Sequence, residues 1–133
     1  VGERRIPIAS EPLSILVVDD EPAVARALAR LLQSDGHRVD LAVSGQEALE
    51  KLDANSYDLV LTDVRMPEMD GRTLYDRISR TAQQPAPVII FVTAAAGDPE
   101  IQLFLTNTGC LVLTKPYSKQ ELWTVIQKAR ARP

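Results

Sequence analysis

The chain has 133 residues, 45% of them hydrophobic and 25% charged, with a formal net charge of −3. That is one domain, long enough to bury a real core, and its acidic balance argues against nucleic acid held by bulk electrostatics. One cysteine, Cys110, excludes an internal disulfide and, with the single His37, a structural zinc site. No apolar run approaches the ~18 residues of a membrane span, and no signal-peptide pattern is present; the cysteine usage suits a reduced, cytoplasmic setting.

Residues 1–12 hold Pro7 and Pro12 with little periodicity, and read as a linker or flexible arm ahead of a domain over 13–133. The start at Val1 rather than Met suggests a processed protein or a piece of a longer one. Residues 13–19 form an unalternated apolar run rich in Val and Ile, the pattern of a buried strand. Pro22 opens a helix with Val24, Leu28, Leu31 and Leu32 on one stripe, and Gly36 stops it.

A second, shorter strand covers 37–43, and Ser44 with Glu47 predicts a capping box for a helix turning Ala48, Leu49 and Leu52 inward. The third strand spans 57–63. After a turn-rich loop at 66–71, Leu74 and Ile78 mark the third helix. Residues 87–93 are the fourth strand, and Asp98-Pro99 starts a helix ending at Gly109. The fifth strand is 111–114; Ser118 and Glu121 cap a last helix lined by Leu122, Val125, Ile126 and Ala129. Five strand–helix units in alternation predict an α/β, doubly wound parallel sheet with helices on both faces.

In such a sheet ligands bind beyond the carboxyl ends of the strands, where Asp19-Asp20, Asp63, Thr93 and Lys115-Pro116 all fall. Each has a plainer reading. One acid of Asp19-Asp20-Glu21 caps the first helix, Asp63 begins a turn, Thr93 is an ordinary strand residue, and Lys115 is a solvated strand end. Together they would gather three carboxylates, a hydroxyl and an ammonium. Clustered carboxylates repel unless a cation lies between them, and oxygen donors suit Mg2+. Asp63 then becomes a candidate nucleophile toward phosphorus, with metal and lysine neutralising the transferring group. Lys115-Pro116 is a candidate cis peptide.

These stretches resemble the receiver domain of two-component response regulators. The likeness rests on Ile-Leu-Val-Val-Asp-Asp-Glu-Pro at 15–22, Ser-Gly-Gln-Glu-Ala-Leu at 44–49 and Tyr-Asp-Leu-Val-Leu-Thr-Asp-Val-Arg-Met-Pro-Glu-Met-Asp-Gly at 57–71. Phe-Val-Thr-Ala at 91–94 and Leu-Thr-Lys-Pro-Tyr at 113–117 complete it. The resemblance implies a flavodoxin-like strand order 2-1-3-4-5. It implies that Asp63 accepts a phosphoryl group from a phosphohistidine on a histidine kinase or a histidine phosphotransfer domain. Asp20, Asp63 and the backbone carbonyl of Arg65 would bind Mg2+ directly, with Asp19 acting through water. Thr93 and Lys115 would hold the phosphoryl oxygens and relay occupancy to the face of the fourth helix, fifth strand and fifth helix, which is also the implied dimer surface. By itself such a chain is not an enzyme, its chemistry being its own phosphorylation and dephosphorylation, and it contacts neither nucleic acid nor membrane.

Many receivers carry an aromatic residue three positions before the lysine; here it is Val112, a departure from the family pattern at the position of the usual aromatic read-out. Arg65 and Ala95 stand where the family tunes phosphoryl lifetime. Residues 74–77 and 104–117 look similar to receivers fused behind hybrid sensor histidine kinases, with a free-standing single-domain regulator as the alternative. Rival classes fit poorly. A dehalogenase-like phosphatase needs a second Asp where Arg65 stands, a dinucleotide-binding enzyme needs a Gly-rich turn in place of Asp-Asp-Glu-Pro, and a P-loop is missing. A phosphorylation-independent pseudo-receiver would have lost Asp20, Asp63 or Lys115. His37 reads as a solvated turn residue, and Trp123 as cover for the core edge.

Overall fold

A computed structural model describes residues 11–66, 68–80 and 86–132. The expected arm at 1–12 lies almost wholly outside them. The strands are β1 (Ser14–Val18), β2 (Arg38–Ala42), β3 (Leu59–Thr62), β4 (Val88–Thr93) and β5 (Leu111–Thr114). The helices are α1 (Pro22–Ser34), α2 (Gly45–Ala54), α3 (Gly71–Ser79), α4 (Pro99–Thr108) and α5 (Lys119–Arg130). All strand pairs are parallel, in the order β2-β1-β3-β4-β5, so the fold is the expected flavodoxin-like one.

Alternation along the strands divides the core into two layers. Ile15, Val17, Leu59, Leu61, Ile90 and Val92 face α1 and α5, whose Leu28, Leu32, Leu122, Val125 and Ile126 cover them. Leu16, Val18, Val60, Ile89 and Phe91 face α2, α3 and α4, under Ala48, Leu52, Leu74, Ile78, Ile101 and Leu105. Phe91 also stacks at a tilt with Tyr75 and edge-on with Phe104. The strand runs are apolar on both sides because both faces are covered.

The helix signals act much as their residue types dictate. Asp98 caps α4 by accepting the N–H groups of Glu100 and Ile101, and Gly109 closes it at φ +68°. Ser118 and Glu121 form the reciprocal box on α5. At α2 the box is only half made: Ser44 accepts from the Glu47 N–H, but the Glu47 carboxylate reaches past Ser44 to the N–H of Val43. The α1 stripe also differs. Its buried residues are Ala25, Leu28, Ala29 and Leu32, while Val24 and Leu31 are half-buried. Two alanines let the helix approach the sheet closely, and larger residues take the flanks.

Candidate functional site

Strand register assembles the site. Val18 pairs with Thr62, and the Asp63 N–H donates to the Val18 carbonyl, so Asp19 and Asp63 leave neighbouring strands side by side. This is where the chain order of the sheet reverses, the switch point at which open α/β sheets form a crevice. Across the sheet Thr93 pairs with Thr114, and the next N–H, that of Lys115, donates to the Thr93 carbonyl at 2.9 Å. The Lys115-Pro116 peptide is cis.

The Lys115 ammonium lies between the two acids, 2.9 Å from Asp63 Oδ2 and 3.1 Å from Asp19 Oδ2. All three side chains are largely shielded, at 20%, 16% and 8% exposure for Lys115, Asp63 and Asp19. Burial pushes the lysine toward neutrality, but hydrogen bonds and charge from Asp63 and Asp19 outweigh it, and its pKa rises above the ordinary lysine value. The ion pairs therefore hold Lys115 as a cation in the crevice.

Of the expected cluster, the structure brings Asp19, Asp63 and Lys115 into contact and places Thr93 beside them. Asp20 is exposed. Among the described residues no group of three or more His, Cys, Asp or Glu side chains is disposed to hold a metal ion. The capping reading of Asp19-Asp20-Glu21 also changes. Glu21 occupies the cap position of α1 without a side-chain cap bond, and Asp19 Oδ1 accepts the Glu21 N–H at 2.9 Å. What remains still suits Mg2+, which binds through one or two carboxylates and keeps several waters. Two shielded carboxylates and a solvent-facing third, all with hard oxygen donors, fit that habit.

Thr93 is fully buried, and its Oγ1 accepts the Ala95 N–H at 2.9 Å, which leaves the hydroxyl proton to be donated. Ala94 is exposed and Ala95 half-buried, so that rim is low. On the other rim the Arg65 N–H donates to Asp63 Oδ1 at 3.3 Å, and the Arg65 guanidinium pairs with Asp98. The Asp98 carboxyl is held below its usual range, first by the Ile101 N–H and then by that of Glu100 and by Arg65.

Two glycines belong to the site although sequence reading passed over them. A Cβ on Gly71 would stand 2.3 Å from the Asp63 carbonyl oxygen and 2.9 Å from Val64 Cα. A Cβ on Gly45 would stand 2.8 Å from Met69. The loop after Asp63 can fold back on the strand end only because both positions lack side chains. Met-Asp-Gly at 69–71 was the available signal. His37 is likewise no solvated turn residue: it is half-buried, and its Nδ1 accepts the Leu13 N–H at 3.0 Å.

The response regulator receiver domain family matches residues 15–127. This chain is a receiver domain. It is 35% identical over 122 residues to the Escherichia coli transcriptional regulatory protein GlrR, covering 92% of this chain and 27% of that protein. It is 38% identical over 117 residues to the Brucella abortus sensor kinase CckA, covering 86% of this chain and 12% of the kinase. The chain thus spans a minor part of either relative. Among solved structures it is similar to the response regulator TrrA of Thermotoga maritima in complex with Mg2+–BeF. The two share 32% identity at a TM-score of 0.72, over 86% of this chain and 96% of that one. Receivers are the phosphorylation modules of two-component signalling, and this one carries no described helix long and apolar enough to cross a membrane.

Proposed function

We propose that this receiver takes a phosphoryl group from a phosphohistidine onto Asp63. One observation carries the reading: Asp63 Oδ2 lies 2.9 Å from the Lys115 ammonium, which Asp19 also holds, at the carboxyl ends of the strands. In the transfer an Asp63 oxygen forms a bond to phosphorus while the P–N bond to the donor imidazole breaks. The electron pair stays on the imidazole nitrogen, which takes a proton. Lys115 lies where charge gathers on the phosphoryl oxygens, and the Thr93 hydroxyl has its proton available for one of them. Mg2+, held by Asp20, Asp63 and the Arg65 carbonyl with Asp19 acting through water, would supply further charge neutralisation. The transfer is stoichiometric, so the domain alone is a phosphoacceptor rather than a turnover enzyme.

The donor is a histidine kinase or a histidine phosphotransfer domain in the cytoplasm. The domain covers 13–133, with 1–12 as a linker: Leu13 is already in the core. Placement behind a hybrid sensor kinase is supported by the sequence of residues 74–77 and 104–117 and by the identity with CckA. The partial coverage of GlrR supports a receiver joined to an output domain as the second reading. The deciding experiment is phosphorylation by a small phosphodonor with Mg2+, read by intact mass. The wild type gains one phosphoryl group and Asp63→Asn gains none; full incorporation in the variant overturns the assignment.

A further inference from the structure

Hydrogen bonds join the phosphoacceptor to the start of α4 in a chain that runs on to Thr93. The Arg65 N–H donates to Asp63 Oδ1, and the Arg65 guanidinium donates to Asp98 Oδ2. Asp98 Oδ1 caps α4, and the Asp98 N–H donates to the Ala95 carbonyl. The Ala95 N–H donates to Thr93 Oγ1. Arg65 and Asp98 are 33 positions apart, and theirs is the side-chain-to-side-chain link in that chain, which a change of charge can break.

That link is weak and faces solvent, at 60% and 34% exposure, and exposed pairs are worth little. Arg65 also lines an open groove of about 500 Å3 with Asp70, Arg72 and Glu100, so its side chain has room to turn. A phosphoryl group on Asp63 adds negative charge two residues away, and a guanidinium fork matches phosphoryl oxygens better than a single carboxylate oxygen. Val112 stands where an aromatic relay would start, so that route to α4 lacks its ring.

We propose that Asp98 is a positioning residue that holds Arg65 beside the phosphoacceptor, and that a phosphoryl group on Asp63 draws the guanidinium off Asp98 and so leaves the carboxylate that caps α4 without its cation. This rests on Asp63 being the acceptor. The test is titration with beryllofluoride and Mg2+, a tetrahedral phosphoryl analogue, of the wild type, Arg65→Gln, Asp98→Asn and the double variant. Asparagine caps a helix as well as aspartate does, so Asp98→Asn removes the charge and keeps the cap. Arg65→Gln weakens binding, and Asp98→Asn strengthens it by up to about fivefold, the factor equivalent to ~1 kcal/mol. In the Arg65→Gln background Asp98→Asn changes nothing. In the wild type the Arg65 Nε–H and Glu100 amide resonances move together on binding. Equal effects of Asp98→Asn with and without Arg65, or an Arg65 resonance that stays put, overturn the exchange while leaving the acceptor in place. A wild type that takes no analogue overturns the acceptor and the exchange with it.

Discussion

Lys115 and Asp63, 52 positions apart in the chain, meet at 2.9 Å at the end of the sheet, and Asp19 shares the same ammonium. The lysine is the cation that lets two shielded carboxylates stand together. Lys115→Ala leaves them facing each other and is expected to cost roughly 1–3 kcal/mol, between an exposed and a buried pair. A divalent cation relieves the same repulsion, so added Mg2+ should raise the melting temperature of Lys115→Ala more than that of the wild type. Melts with Mg2+ and with chelator check this, and equal shifts in both proteins would count against it.

Gly71 is fixed by the backbone beneath it. A Cβ there would stand 2.3 Å from the Asp63 carbonyl oxygen, and the Gly71 N–H already donates to the Val64 carbonyl at 2.7 Å. Neither contact is with a flexible side chain, so Gly71→Ala must displace the strand end that carries Asp63. The expected cost is about 1–3 kcal/mol, with slower phosphoryl uptake. Gly97→Ala, where a Cβ meets nothing within 4 Å, should change neither. Denaturant midpoints and uptake rates of the two variants give the comparison.

The fold was legible because its signals are local. Apolar runs gave the strands, and Asp98-Pro99, Gly109 and Ser118 with Glu121 gave helix ends that the structure keeps. The core site residues were legible because they end strands, and strand ends converge in this fold class. Contacts set by tertiary approach were hidden. Gly71 looks like any turn glycine until the loop folds onto Asp63. Glu47 reaches Val43 instead of Ser44, which shows that a motif fixes residue types and leaves the partner to local geometry. Arg65 with Asp98, and Tyr57 donating to Asp40 at 2.7 Å, join elements far apart in the chain and leave no periodic trace.

The cap of α5 isolates a contribution away from the site. Ser118 Oγ accepts the Glu121 N–H at 3.0 Å, and the Glu121 carboxylate accepts the Ser118 N–H at 2.8 Å. Ser118→Ala removes one of the two bonds and should cost about 0.5–2 kcal/mol. Because α5 covers the core with Leu122, Val125 and Ile126, the loss should appear in the global unfolding midpoint. A midpoint unchanged by the substitution would mean that packing alone holds the helix.

His37 ties the start of β1 to the entry of β2 through its Nδ1, which accepts the Leu13 N–H only while that nitrogen is unprotonated. Its pKa lies below the ordinary 6.5, first through burial and then through the Arg130 charge, with Asp35 opposing. Glu11, Asp35, Trp123, Gln127 and Arg130 surround it in a cavity of about 170 Å3. A histidine that binds its proton less well folded than unfolded makes stability rise with pH between its two values. Its contribution is therefore complete above about 6.5 and falls as the pH drops toward the folded value. His37→Gln should lower stability near pH 8 by about 1–3 kcal/mol, through the Leu13 N–H, and should flatten the slope below about pH 6.5. The difference between their urea midpoints at about pH 8 and about pH 5.5 reports the histidine together with the charges coupled to it. Parallel curves would show that His37 keeps its hydrogen bond without controlling the proton.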